Sequence, residues 1–255
     1  MTNFPSKSIR QDQADNTRRA ILLAASREFA KNGFNGASTV AIMEAAGENT
    51  SLLFYYFGSK KALYKAVFLN ALEEVTMRTT DGLLFAGSPG EKLLRAALNH
   101  FDRFVTHREA QSIMQQEMLR DPRGQGELMQ AFEKGIFAPW IETIQKTIRE
   151  GIETGELRNM HWNDIFSSIL AVNAQYFLTA PVIGLAFGHD PLSRVELQAR
   201  RERVARFWGT ALFVSPEHGA ALAVRALEEV PMPEPAGHDA PEGHDMHDVK
   251  ENRTV

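Results

Sequence analysis

The chain has 255 residues, 44% of them apolar and 24% charged, a balance that supports a folded core in one large domain or in a small domain joined to a larger one. It has no cysteine, which excludes structural disulfides, thiolate metal ligands and cysteine-based catalysis. The net charge of −4 is uneven: residues 228–255 hold eight acidic side chains against Lys250 and Arg253, a net of −6, so the residues before them carry +2.

Residues 1–14 are polar and aperiodic and are expected to form a disordered arm. From Asp15 the apolar residues Ile21, Ala24, Ala25 and Phe29 recur at helical spacing, and Asn32-Gly33 is a stop signal. Ser38 caps a short helix to about Ala45, and Gly47 ends it. Asn49 or Thr50 caps another to Phe57, and Gly58 ends that one. Ser59 caps a longer helix carrying Leu63, Val67 and Leu72. Residues 15–60 thus read as a helix-turn-helix unit, in which two short helices are joined by a glycine turn.

After Gly87-Ser88-Pro89 the helices lengthen. They are expected at 90–106, at 108–119, at 125–154 with Pro139 starting or dividing the segment, at 162–179, and at 193–214 as the last. The helix at 162–179 is apolar on two adjoining stripes and must be covered on more than one side. Residues 61–227 are read as a helical ligand-binding and dimerisation domain, and 228–255 as a disordered acidic tail rich in His and Pro. Nothing alternates with period two, so the fold class is all-α. No apolar run approaches the ~18 residues of a membrane span. The N-terminus lacks the apolar core of a signal peptide, so a cytoplasmic protein without a membrane partner is expected.

A helix-turn-helix places its second helix in the major groove of double-stranded DNA, N-terminus first. That makes Asn49, Thr50, Ser51 and Leu52 the leading turn, with Leu52 suited to a thymine methyl. Leu53 and Phe57 turn inward, while the hydroxyls of Tyr55 and Tyr56 suit phosphate. Lys60, in the first turn of the next helix, adds positive charge where backbone amides already attract anions. Ser38 and Thr39, at the start of the preceding helix, are further phosphate contacts.

Thr17 to Phe68 resembles the N-terminal domain of the TetR family of bacterial transcriptional regulators. The resemblance rests on Ile21…Ala24-Ala25…Phe29…Gly33-Phe34, on Ser38…Ile42…Ala46-Gly47, and on Leu53-Phe54-Tyr55-Tyr56-Phe57-Gly58-Ser59-Lys60…Leu63. It implies a homodimer on a palindromic operator and a larger domain that binds a small-molecule effector, with repression relieved on binding. It also implies dimerisation through the last two long helices, here by Ile165, Ile169 and Val172 of one and Val204, Phe207, Trp208 and Ala211 of the other. The chain departs from the family pattern at four positions. Glu48 is expected to loosen the turn or repel phosphate, and Met43 to hold the two short helices slightly apart. Leu52 and Phe54 replace a threonine and a tyrosine that often bind phosphate, which moves that role to Thr50, Ser51, Tyr55, Tyr56 and Lys60.

No motif guides the larger domain. Polar and aromatic residues among its apolar helical positions, namely His100, Arg103, Phe104, Gln115, Glu117, Trp140, Asn173, Tyr176 and Phe177, are the effector-site candidates. No cofactor or catalytic residue is expected: the chain has no Walker loop, no Gly-x-Ser-x-Gly elbow and no Glu-x-x-His pair. The alternative reading is a helical-bundle metal-binding protein or enzyme that uses His238, His244 and His247 of the tail.

Overall fold

The computed structural model describes residues 7–234. The chain folds as helices α1 (Lys7–Gly36), α2 (Thr39–Ala46), α3 (Thr50–Phe57), α4 (Lys60–Leu83), α5 (Pro89–Thr106), α6 (Arg108–Arg120), α7 (Glu127–Phe132), α8 (Ala138–Glu153), α9 (Trp162–Phe187), α10 (Arg194–Ala211) and α11 (Pro216–Glu229). A π-helical turn, Glu133–Phe137, joins α7 to α8. The fold is all-α; one isolated antiparallel bridge, Leu157 with Phe213, is its only β pairing among the described residues.

The capping signals act as the sequence indicates. Ser38, Asn49 and Ser59 each accept a backbone N–H in the first turn of α2, α3 and α4, and Ser88, Ser193 and Ser215 do the same for α5, α10 and α11. Each such cap contributes about 1 kcal/mol, which matters most for the eight-residue helices α2 and α3, too short to persist alone.

Two cores organise the chain. The first gathers Ile21, Ala25 and Phe29 of α1, Ile42 and Met43 of α2, Leu53 of α3, and Leu63, Val67, Phe68 and Leu72 of α4. It also takes Ile113 of α6 and Leu128 of α7. The N-terminal unit therefore runs well past residue 60, through Leu72. The second core joins α5, α8, α9, α10 and α11 around Leu94, Trp140, Ile148, Ile165 and Trp208. Each fully buried Leu, Ile or Phe in these cores contributes about 1.5–3 kcal/mol.

Four expectations need correction. The N-terminal helix begins at Lys7, so residues 7–14 are helical; their polar, aperiodic sequence carries no signal for it. Its stop signal at Gly33 marks a kink (φ 67°), after which the chain makes one more turn. Helix α9 does not stop before Pro181 but continues to Phe187, because the ring removes one N–H while the turns on either side keep theirs.

The fourth is α11, which was not anticipated, although Ser215-Pro216-Glu217 is a good start signal. It packs on α10 where Gly209 and Gly219 meet: a Cβ on Gly219 would lie 1.9 Å from the Gly209 carbonyl oxygen, so only glycine fits the crossing. Glu229, placed by sequence in the tail, ends α11 and pairs with Arg95. The histidines of the tail lie outside the described residues.

Helix α9 also differs from expectation in being long and apolar enough, by length and composition, to cross a membrane. Only 22% of that apolar stretch is buried within the subunit.

Candidate nucleic-acid interface and effector cavity

The turn between α2 and α3 is closed by backbone bonds from Gly47 N to Glu44 O (3.1 Å) and from Glu48 N to Met43 O (3.0 Å), with Gly47 left-handed at φ 69°. Glu48 does not loosen it. Its carboxylate accepts a 2.9 Å hydrogen bond from Thr17 Oγ1 and so ties the turn to α1. Met43 is 1% exposed and fills the core between the helices.

Helix α3 is set by Leu53, which is fully buried, and by Phe57, half-buried under the Arg18 guanidinium at 5.4 Å. Ser38, Asn49, Thr50, Ser51 and Tyr55 are consequently exposed on one side of the unit, and Thr39, Tyr56 and Lys60 are half-buried. Tyr55 is 79% exposed, its ring edge-on to Tyr56 at 5.0 Å. Asn49 Oδ1 accepts from both Ser51 N and Ser51 Oγ, each at 2.9 Å, so its oxygen belongs to the helix cap. Lys60 Nζ leans back to the Asn35 carbonyl (3.4 Å) and the Phe34 ring (5.2 Å), an exposed contact that a phosphate would outcompete.

Leu52 is a correction. It is half-buried against the first core, not offered to a base. The outward apolar residue is Phe54, 55% exposed. The rotation of α3 about its axis decides between the two, and that rotation is fixed by Leu53 in the core.

The effector candidates separate. His100 and Trp140 line a cavity of about 20 Å³ with Thr79, Leu93, Ala96, Ile144, Phe166, Ile169 and Leu170. Among the described residues, no charged side chain lines it. Burial pushes the His100 imidazole down to about 4. Asn173 Nδ2 donates to Ala97 O (3.0 Å) and meets His100 Nδ1 at 3.2 Å, so that nitrogen is the acceptor and the ring is neutral. Asn173 is fully buried and its Oδ1 has no partner; nor has the indole Nε1 of Trp140, a residue 7% exposed. Thr79, Leu93, Ala96, Ile144, Phe166 and Leu170 were missed; Thr79, a polar residue on the inner side of α4, was the one legible signal.

The other candidates do not line the cavity. Phe104 packs edge-on against the His100 ring at 5.0 Å but belongs, with Phe177, to an aromatic cluster around Phe101. Tyr176 donates to the Pro191 carbonyl at 2.6 Å and carries Arg200 over its ring. Arg103 is 4% exposed and Gln115 half-buried, and neither lines the cavity. Glu117 is held beside the first core by Tyr64 and Arg120.

Four of the dimer candidates, Ile165, Ile169, Val204 and Trp208, are buried in the subunit's own core. They are therefore unavailable to a second subunit. Val172 and Ala211 are half-buried and Phe207 is 52% exposed. The outward line of α9 is instead Ala171, Gln175, Leu178, Val182 and Leu185, spaced alternately by four and three residues and all exposed.

Residues 21–67 match the profile of bacterial regulatory proteins of the tetR family, and residues 89–207 that of a tetracyclin repressor-like C-terminal domain. The HTH-type transcriptional repressor NicS of Pseudomonas putida is 32% identical over 111 residues, 44% of this chain and 52% of NicS. The chain thus spans about half the length of that relative. The HTH-type transcriptional regulator UidR of Escherichia coli is 27% identical over 175 residues, 68% of this chain and 84% of UidR. Among solved structures, the ketosteroid transcriptional regulator KstR2 of Mycobacterium tuberculosis shares the fold with a TM-score of 0.60 at 18% identity, over 78% of this chain and 95% of that one.

Proposed function

Because the chain belongs to the TetR family of bacterial regulatory proteins, we propose that it is a cytoplasmic, homodimeric repressor that releases a palindromic operator when a small molecule binds its larger domain. The observation that carries this reading is the outward face of α3, with Thr50, Ser51 and Tyr55 exposed at the leading end of a helix-turn-helix. Ser38, Thr39, Tyr56 and Lys60 flank it as phosphate contacts.

Dimerisation is supported by the uncovered face of α9. Alternate spacing by four and three is the seam along which two helices pack side by side. A second subunit would cover Leu178, Val182 and Leu185, a contiguous apolar line otherwise left in water. Phe207 of α10 stands beside that reading as a further exposed ring.

The effector seat is the cavity at Trp140. The lining among the described residues is uncharged and mostly apolar, which suits an uncharged, largely apolar molecule, since an unpaired buried charge is costly. At about 20 Å³ it holds a water-sized occupant, so binding must displace its walls. Helix α4 carries that displacement to the DNA-binding unit, which α6 braces from the side. Helix α4 runs unbroken from Lys60 to Thr79 in the cavity wall, about 28 Å at 1.5 Å per residue. On α6, Ser112 Oγ and Gln116 Nε2 both donate to the Ala30 carbonyl of α1, at 3.0 and 2.9 Å. Effector and operator affinity are then linked reciprocally.

The test is a titration of the purified protein against DNA from immediately upstream of its own gene at several salt concentrations, beside a Tyr55→Phe/Lys60→Ala variant. Sequence-selective, salt-dependent binding that the variant loses supports the reading. Binding that is equal on all sequences, or unaffected in the variant, overturns it.

A further inference from the structure

For an element that reads DNA, α3 has an unusual set of side chains. Its eight residues, Thr-Ser-Leu-Leu-Phe-Tyr-Tyr-Phe, include no Arg, Lys, Asn, Gln, Asp or Glu. In the major groove, guanine is singled out by Arg or Lys, adenine by a bidentate Asn or Gln, and cytosine by a carboxylate. None of these pairings is open to α3. The one amide nearby, Asn49, has its Oδ1 occupied by Ser51 N and Ser51 Oγ, and turning it to an adenine would undo the cap that starts the helix.

The exposed residues of α3 are Thr50, Ser51, Phe54 and Tyr55, positions i, i+1, i+4 and i+5, which share one strip of the helix. Tyr55 ends in a hydroxyl that suits a phosphate. Phe54, 55% exposed, has no polar atom. The feature of the major groove that an apolar ring distinguishes is the C5 methyl of thymine.

We infer that Phe54 is the specificity-determining residue of this protein, reading a thymine C5 methyl by apolar contact in each operator half-site. Thr50 and Ser51 supply single hydrogen bonds beside it. The inference rests on the reading of α3 as the recognition helix.

The test begins with selection of an operator from random DNA duplexes by the full-length protein. Each thymine of the half-site is then replaced by deoxyuridine, which deletes the methyl group and leaves the pairing unchanged. At one position per half-site the replacement weakens binding about fourfold, and about fifteenfold when made in both, the value of a methyl group removed from an apolar contact. Phe54→Ala shows the same loss on the thymine operator and no longer distinguishes it from the deoxyuridine operator, so the two changes are not additive. Phe54→Leu retains part of the discrimination.

Equal affinity for thymine and deoxyuridine at every position overturns the inference, as does an additive loss in Phe54→Ala. Either result leaves the regulator reading intact. Selection of no operator at all overturns that reading, and this inference with it.

Discussion

The phenol of Tyr64 on α4 donates a 3.2 Å hydrogen bond to Glu117 Oε2 on α6, tying these two helices of the first core together through a carboxylate that is 1% exposed. Arg120 holds the same carboxylate from its other side, with Nη2 at 2.6 Å and Nε at 2.8 Å. Burial first, then the charge of Glu117 and the hydrogen bond to it, push the Tyr64 phenol up to about 12. The folded value lies above the ordinary tyrosine value, so the stabilisation is complete below pH 10 and is lost as pH rises from 10 to 12. Tyr64→Phe should lower stability by about 1–2 kcal/mol at neutral pH and flatten this alkaline decline. Urea unfolding at pH 7 and across pH 9–12 measures both effects.

His100 predicts the opposite limb. Its folded value of about 4 lies below the ordinary 6.5, so the unfolded chain takes up a proton first as the solution is acidified. Stability should fall between pH 6.5 and 4 by on the order of 3 kcal/mol from this group alone. His100→Gln removes that titration, and thermal unfolding of the variant should be less sensitive to pH over this interval.

Arg201 donates to both oxygens of Asp102, at 2.7 and 2.8 Å, and to the Val230 carbonyl just beyond α11 at 2.9 Å. Both charged side chains are nearly sealed from water. Arg201→Met leaves a buried carboxylate without this partner and should cost about 3–5 kcal/mol. The double change Arg201→Met/Asp102→Leu should recover much of that loss, which denaturant titration of the three proteins decides.

Leu185, 89% exposed on α9, touches little in its own subunit. For the proposed dimer, Leu185→Glu should leave helicity near that of the parent and shift the sedimentation coefficient from dimer to monomer. Operator affinity should fall with it, because the second half-site contact is lost.

How far the sequence carried varies by element, for physical reasons. The short helices were legible to within a residue because Ser38, Asn49 and Ser59 start them and Gly47 and Gly58 stop them, all local signals. Which side of α3 faces outward was less legible. Leu52 and Phe54 are both apolar neighbours of Leu53, and only packing against α2 and α4 decides which is covered. Helix α9 shows the same limit: periodicity gave two apolar stripes that need cover, but not that its own subunit covers Ile165 and Ile169 while Leu178 and Val182 stay exposed. Among the effector candidates, polarity at an apolar position selected His100 and Asn173, both of which are buried. The same criterion also selected Glu117, whose partners lie 53 and three residues away in the chain and carry no local signature.

The π-helical turn at Glu133–Phe137 sets a phase. In an unbroken α-helix, Phe132 and Trp140, eight residues apart, would point about 80° away from each other; the extra residue of a π turn brings them to within about 20°. The rings then form a stepwise stack: Phe132 against Phe68 of the first core (6.2 Å), Phe137 against Phe132 (5.4 Å), and Trp140 against Phe137 (5.9 Å) at the cavity wall. One inserted residue thus acts as a gear tooth that meshes two cores facing different ways. The stack runs without a gap from the cavity wall at Trp140 to Phe68 of the first core.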